Sequence, residues 1–508
     1  MSILTGYVLP FVILTLVLLA LYKRHRSGNR PPLPPGPASD PVIGHLLKIP
    51  RTKQAEAFTE MGKAYGDVVY LSALGKRILI LNSHHAAVDL LDKRGLIYSD
   101  RAYFPVYDLL GLLEGLPLSP YNDEFQKHRK ITQQPLSRKG IEVFRGIMIN
   151  HTETLLKALL DKPEDFQFHL TQYVSANIVE ATYGHKVEDQ NDSFVKMSIR
   201  VNEILEGAGV PGTSLVDVFP FLRHLPSWFP GAWYVRYGKL HKPFVNHMFR
   251  AGLEEVQSKM AEGTAQPSFL SEHLRNFTQD GRNTAENLRA LEVNAGFLFG
   301  AGFDTTYSSL MNFFLALLNN PQAVKRAQAE IDEVIGPDRL PTFDDKDSLP
   351  AVEALLYEGL RWHQSVPLGL PHFIRTDDIY NGFLIPKDTM VLANMRAMTM
   401  DEKTYSNPHV FNPDRYLPAP IGNSEPFPDF TFGFGRRICP GRFFAHQSMW
   451  IAIASILATF DVLPVKDDFG KDIVPPEEYT DSVTSHAVPY KCRFVPRSEK
   501  ARILVEKL

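Results

Sequence analysis

Cys439 stands in the run Phe432-Gly433-Phe434-Gly435-Arg436-Arg437-Ile438-Cys439-Pro440-Gly441, a glycine-rich loop with two arginines that opens onto a helical pattern over residues 443–458. A thiolate persists near neutral pH beside positive charge or aligned N–H dipoles, and a loop before a helix supplies both. The glycines permit a tight turn around the sulfur and close approach of a flat ligand to the backbone. One thiolate cannot complete a four-ligand zinc site, but it can be the single protein ligand of a haem iron. A lone cysteine in a large domain is ordinarily buried and inert; the surrounding pattern argues against that here.

A second constellation lies within residues 285–319, which carry a helical pattern. Its middle, Phe297 to Thr306, is apolar on nearly every side except at Asp304-Thr305-Thr306. A helix apolar all round is buried in a core or in a membrane. A central aspartate costs about 2.5–3.5 kcal/mol in a bilayer and glycines weaken the helix further, so the core is the expected place. Gly300, Ala301 and Gly302 thin one face, on which a planar ligand could lie against the backbone. A threonine within a helix often bonds back to the i−4 carbonyl, here Ala301, and that structural role for Thr305 stands beside a chemical one.

The pattern F-x-x-G-x-R-x-C-x-G, complete at Phe432, Gly435, Arg437, Cys439 and Gly441, resembles the haem-binding loop of the cytochrome P450 superfamily. Ala301-Gly302-Phe303-Asp304-Thr305-Thr306 resembles the family's A-G-x-D-T-T segment, on the long helix that crosses the haem. The resemblance implies that Cys439 is the axial ligand of haem b, that Arg437 meets a propionate, and that Phe432 packs near the sulfur. It further implies that Thr305 hydrogen-bonds the bound dioxygen or its water while Asp304 relays protons. Heterolytic O–O cleavage needs two protons, whereas an open water channel would release peroxide.

Other segments follow the same family in order. Glu358 and Arg361 are spaced to share one helix face, a pair that alone is usually solvated and worth little. Phe411-Asn412-Pro413-Asp414-Arg415-Tyr416 resembles the family's F-x-P-x-R-F, with Tyr for the last Phe, and the family joins Glu358, Arg361 and Arg415 into a structural triad. By resemblance, Arg101, Arg129 and His372 are further propionate contacts. Phe125 stands where the family usually has Trp, so an indole N–H donor is missing.

The elements that must position these residues read as mainly α with small β-sheets, the cytochrome P450 fold, preceded by one N-terminal transmembrane helix. Helical periodicity covers 140–160, 172–183, 193–207, 240–262, 285–319, 321–335, 350–363 and 440–460. Hairpins are expected over 68–82, turning near Gly75, and over 383–394, turning at Pro386-Lys387-Asp388. Residues 3–22 carry no charged side chain, enough for about 30 Å of helix, and Lys23, Arg24 and Arg26 follow. The chain divides into an anchor (3–22), a basic and proline-rich linker (23–40) and a haem-binding catalytic domain (41–508).

With 508 residues, 44% hydrophobic, and a formal charge of −3, the chain lacks the basic balance of a nucleic-acid binder, and two cysteines argue against a secreted disulfide framework. The expected activity is insertion of one oxygen atom into a lipophilic small molecule, a step in fungal secondary metabolism. Electrons are expected from a separate NADPH-dependent reductase, since no flavin or nicotinamide domain is visible; Lys130, Arg138, Lys139 and Arg436 could dock it. The expected location is the endoplasmic reticulum membrane, single-pass, with the catalytic domain cytosolic. Specificity is expected from 101–123, 212–233 and 479–486. A haem-thiolate isomerase or dehydratase and a non-catalytic haem-binding scaffold are the alternatives.

Overall fold

The computed structural model describes residues 30–187, 191–209 and 214–508, so the expected anchor at 3–22 lies outside the described residues. Ala285–Asn319 forms one helix over the predicted span, and its first turn is capped by Thr284, whose hydroxyl accepts the Asn287 N–H at 3.3 Å. It is apolar all round because helices surround it. Phe166–Tyr183, Ser193–Ala208, Trp233–Ala261 and Pro350–Trp362 all pack against it. Among the described residues no helix is long and apolar enough to cross a membrane.

The glycines of this central helix do something other than the sequence suggests. A Cβ on Gly296 would sit 2.1 Å from the Phe249 ring, one on Gly302 3.0 Å from Ile178, and one on Gly300 3.6 Å from Val201. Gly296 and Gly302 admit neighbouring helices, whereas Gly300 has room for a side chain. The face left open is that of Ala301, which is exposed in a helix that is otherwise mostly covered.

Most predicted helices are present, with shifted starts: Phe166–Tyr183 begins six residues earlier than the pattern, and Trp233–Ala261 begins seven earlier and continues through Pro243. Gly140–Phe144 is a tight 3₁₀ turn before Arg145–Asp161. Helices at Gln54–Tyr65, Phe269–Gln279 and Glu499–Glu506 are additional.

Val68–Ala73 and Lys76–Leu81 form the expected antiparallel hairpin, turning through Leu74 and Gly75, both at positive φ. Lys76–Leu81 runs parallel to Thr389–Ala393, which pairs antiparallel with His372–Ile374. The second expected hairpin is therefore wrong. Phe383–Ile385 pairs with Asp378–Tyr380, and Thr389–Ala393 belongs to the other sheet. The turn is Asn381-Gly382, at φ 50° and 80°, a dipeptide suited to the two-residue hairpin loop. Pro386-Lys387-Asp388 instead carries the chain between sheets, with the Asp388 N–H bonded to Ile374 O.

The proline-rich stretch is extended and lies against the domain. Pro32 O accepts from the Leu384 N–H at 2.7 Å and Pro35 O from the Tyr70 N–H at 2.8 Å. Proline cannot donate yet still accepts, so such a segment can cap a strand edge.

Glu358, Arg361 and Arg415 are buried together. Arg361 donates Nε and Nη2 to the two Glu358 carboxylate oxygens, each at 2.8 Å, and Arg415 Nε lies 3.2 Å from Oε2. Arg415 also donates to Glu425 at 2.7 Å. The Tyr416 hydroxyl, present where the family pattern has Phe, donates to Glu358 at 3.1 Å. The solvated-pair reading of Glu358 and Arg361 is excluded.

Candidate functional site

The cysteine loop closes on itself through the Cys439 N–H, which donates to Phe432 O at 2.8 Å. Gly433 and Gly435 take positive φ, 88° and 51°. A Cβ on Gly435 would lie 2.3 Å from Leu91 O, so this position tolerates no side chain. Gly435→Ala is expected to cost about 1–3 kcal/mol in backbone strain before the clash is counted, read as a lower unfolding midpoint and a lower content of bound cofactor.

Cys439 is half-buried, and the helix Arg442–Thr459 starts three residues on. The N–H groups of Gly441 and Arg442 bond toward its sulfur, and the guanidinium groups of Arg129 and Arg442 also favour the thiolate. Burial is the larger influence and holds the thiol above its ordinary range. The positive charge and N–H dipoles expected from the sequence are present, but they offset the burial only in part; a coordinated metal ion would supply the rest. Cys492, in the strand Cys492–Pro496, is pushed up to about 12 by burial alone.

Around this loop converge three arginines. Arg101, 4% exposed, donates Nε to Pro117 O at 2.7 Å and Nη1 to Pro371 O at 2.7 Å. Arg437 donates to the carbonyls of Ser99, Leu116 and Ser119 at 2.7–3.0 Å. Arg129 donates to Ile438 O at 2.6 Å and to Gln133 at 3.0 Å. His372 donates Nδ1–H to Tyr98 O at 2.9 Å, and the bridge between Asp100 and Phe373 brings it beside Arg101. Burial, then Arg101, lowers its imidazole well below the usual range. Burial likewise pushes Arg437 down to about 10 and lowers Arg101 strongly, with Arg437 adding repulsion to Arg101. Among the described residues no carboxylate forms an ion pair with Arg101, Arg129 or Arg437; Asp100, bonded to Arg375, acts on Arg101 and Arg437 only through its nearby charge, which favours their charged forms. The Arg437 guanidinium stacks 3.8 Å from the centre of the Phe125 ring, so an aromatic face occupies the place of the absent indole.

On the central helix Ala301 and Thr305 follow Phe297 at i+4 steps, one stripe along the open side. The Thr305 hydroxyl donates to Ala301 O at 2.8 Å. That is the structural bond anticipated for it, and it leaves the oxygen's lone pairs free to accept. Thr305 O in turn accepts from Ser309 Oγ at 2.8 Å and Ser365 Oγ at 3.3 Å. Asp304, 6% exposed, has a carboxyl raised to about 6, chiefly by burial; the Thr484 hydroxyl and the charge of His486 pull the other way. The 111–118 loop reaches the same helix: Glu114 pairs with Arg289 at 2.9 Å, and a Cβ on Gly115 would overlap the Phe297 ring.

The family model described as Cytochrome P450 matches residues 34–494. The chain belongs to the cytochrome P450 family. It is 36% identical over 506 residues to Cytochrome P450 monooxygenase 136 of Postia placenta, covering 99% of this chain and 95% of that protein. It is 37% identical to Cytochrome P450 monooxygenase claT of Ampulloclitocybe clavipes, covering 98% of this chain and 97% of the relative. Cytochrome P450 monooxygenase COX1 of Coprinopsis cinerea is 35% identical with the same coverage. The resemblance to fungal members thus holds, and this P450 is a monooxygenase of the haem-thiolate class.

The residues present fit haem. Its two propionates are the anions that this cluster, Arg101 buried and Arg129 and Arg437 half-buried, with no ion-paired carboxylate of its own, calls for, since an unpaired buried charge costs several kcal/mol. Arginine's planar fork suits carboxylates. Near the same cluster, Ser99 Oγ and Ser119 Oγ are buried with no hydrogen-bond partner. The carbonyls of both residues bind Arg437. Sequence reasoning missed Thr484, Ser309 and Ser365 as partners of the Asp304–Thr305 region. Only the placing of 479–486 near the site hinted at the first, and isolated serines carry no spacing signal.

Proposed function

We propose that this P450 inserts one atom of dioxygen into a lipophilic small molecule, in a step of fungal secondary metabolism, with electrons from a separate NADPH-dependent reductase. The observation that carries the reading is the pairing of a cation cluster around the cysteine loop, without ion-paired carboxylates, with an open helix stripe that ends in Thr305 beside the buried Asp304. Cys439 would ligate the iron, with Phe432 beside it. Arg101, Arg129 and Arg437 would hold the propionates. His372, neutral in the protein alone and offering only an acceptor at Nε2, would join them on taking up a proton, which a nearby carboxylate favours.

Bound haem supplies oxygen activation and the passage of electrons. The protein's own part is to keep the cleft dry and to meter protons. Phe297 and Ala301 give the open face of the helix an apolar surface, suited to a lipophilic substrate. Thr305, already donating to Ala301 O, accepts a hydrogen bond at the cleft and holds a proton-bearing group there. Asp304, with a carboxyl near neutrality, takes and gives protons readily at working pH.

Exposed Phe219, Phe221, Trp228, Phe229 and Trp233, together with the apolar segment 3–22, support attachment to the endoplasmic reticulum membrane. Exposed Lys130, Arg138, Lys139 and Arg436 support reductase docking near the cysteine loop. Reconstitution with a fungal reductase tests the reading. NADPH-dependent product formation is expected; turnover of a substrate without NADPH would instead mark an isomerase or dehydratase. Thr305→Ala is expected to lower product formed per NADPH about tenfold or more, with the missing electrons recovered as peroxide. Unchanged coupling would remove Thr305 from the reaction.

A further inference from the structure

Asp304 is 6% exposed, so it has little direct contact with bulk water. Two elements outside its own helix bring hydrogen-bonding and titratable groups to it. The loop after Tyr479 brings Thr484 and His486, and the helix Ser193–Ala208 brings Glu206. His486 Nε2 lies 3.5 Å from Glu206 Oε1, and the Glu206 side chain is half exposed while that of His486 is 19% exposed. Exposure therefore rises stepwise from Asp304 through His486 to Glu206. The His486 ring is further held edge-on to Tyr307, 6.2 Å between centres, one turn along from Asp304.

We propose that Glu206 and His486 form the solvent-side inlet through which Asp304 is recharged with protons, with Thr484 orienting the receiving carboxyl. This rests on the reading of Asp304 and Thr305 as the proton-metering pair. His486 is suited to the task by its tautomer. Nδ1–H is committed to Ala487 O at 3.0 Å, so Nε2 is the nitrogen that gains and loses the proton. In each transfer Glu206 collects a proton from solvent and passes it to Nε2. Nε2–H then gives it up, through an intervening water, to the Asp304 carboxylate, which becomes the neutral acid. The imidazole returns to neutral and no electrons move. The loop is fixed for this purpose by Asn312 on the central helix, which donates to Ser485 O at 3.1 Å and accepts from the Ala487 N–H at 2.7 Å.

The test has two readouts. The first is the infrared titration of the Asp304 carboxyl band in the resting protein, assigned by its loss in Asp304→Asn. The charge of His486 lowers the Asp304 midpoint and that of Glu206 raises it. His486→Phe is therefore expected to move the midpoint up and Glu206→Gln to move it down. Opposite shifts are not produced by general loosening of the loop. The second readout is coupling with the reductase: His486→Phe is expected to cut product per NADPH by about tenfold, with partial rescue by added imidazole, as for a lost proton carrier. If His486→Phe leaves the midpoint and the coupling unchanged while Thr305→Ala uncouples, the inlet is overturned and the oxygen-activating reading stands. If Thr305→Ala also leaves coupling intact, the pair itself is not metering protons and the inlet falls with it.

Discussion

Cys439→Ser is expected to abolish the strongly red-shifted Soret band of the dithionite-reduced, carbon-monoxide-treated protein, and with it all NADPH-dependent product. Serine matches cysteine closely in shape, so the loop keeps the Cys439-type bond to Phe432 O and the surrounding N–H groups. What changes is the donor. A hydroxyl is far harder to ionise than a thiol and gives the metal none of the electron density that favours O–O cleavage. The cations at Arg101, Arg129 and Arg437 remain, so some haem is retained and the spectrum is informative. A variant that kept the red-shifted band would show that the sulfur of Cys439 is not the ligand. The second cysteine, Cys492, sits in the strand Cys492–Pro496 with its thiol held protonated by burial, so it offers no substitute.

Short-range chemistry explains what the sequence disclosed of the fold and what it hid. The central helix was readable to the residue from its long helical pattern, and the structure adds a capping threonine at its start. The hairpin at 68–82 was readable because its two strands are adjacent in the chain. The second hairpin was misread because Pro386-Lys387-Asp388 looks like a turn, whereas strand pairing there depends on a parallel partner about three hundred residues away, Lys76–Leu81. Asn381-Gly382 was the stronger local signal. The early starts of Phe166–Tyr183 and Trp233–Ala261 reflect tertiary packing overriding weak periodicity, with Pro243 tolerated inside the second.

The site shows the same division. The cysteine loop was legible as a contiguous pattern, and the glycines at 433 and 435 have the positive φ that such a loop needs. Of the two glycines read as thinning a face, Gly302 meets Ile178 while Gly300 has only an ordinary contact with Val201, because glycine signals close approach without saying of what. Arg101, Arg129, Arg437 and His372 come from four separate segments, and no spacing rule links them; only the resemblance did. Their lack of ion-paired carboxylates, which carries the cofactor argument, is a property of three-dimensional burial alone. The substitution of Phe125 for tryptophan was visible, but the stacked Arg437 above it was not.

Glu358→Gln is expected to be the most destabilising single substitution in the described fold outside the cysteine loop. Glu358 and Arg361 are fully buried and Arg415 is 1% exposed. The carboxylate serves Arg361, Arg415, the Tyr416 hydroxyl and the Asn412 N–H at once. Removing the charge leaves Arg361 without an anion, since Glu425 serves Arg415 alone. Breaking one partner of a buried pair costs about 3–5 kcal/mol, because the other charge stays buried and unpaired. That is a large share of the roughly 5–15 kcal/mol that holds a typical domain together. Tyr416→Phe, by contrast, restores the family's residue and removes one donor to the carboxylate, a loss of about 1.5–3 kcal/mol. Thermal unfolding of the haem-loaded protein should therefore rank Glu358→Gln below Tyr416→Phe. Coupling per folded, haem-loaded molecule should stay the same in both, because the triad touches neither Asp304 nor Thr305. A Glu358→Gln protein with normal stability but poor coupling would move the triad from folding into chemistry.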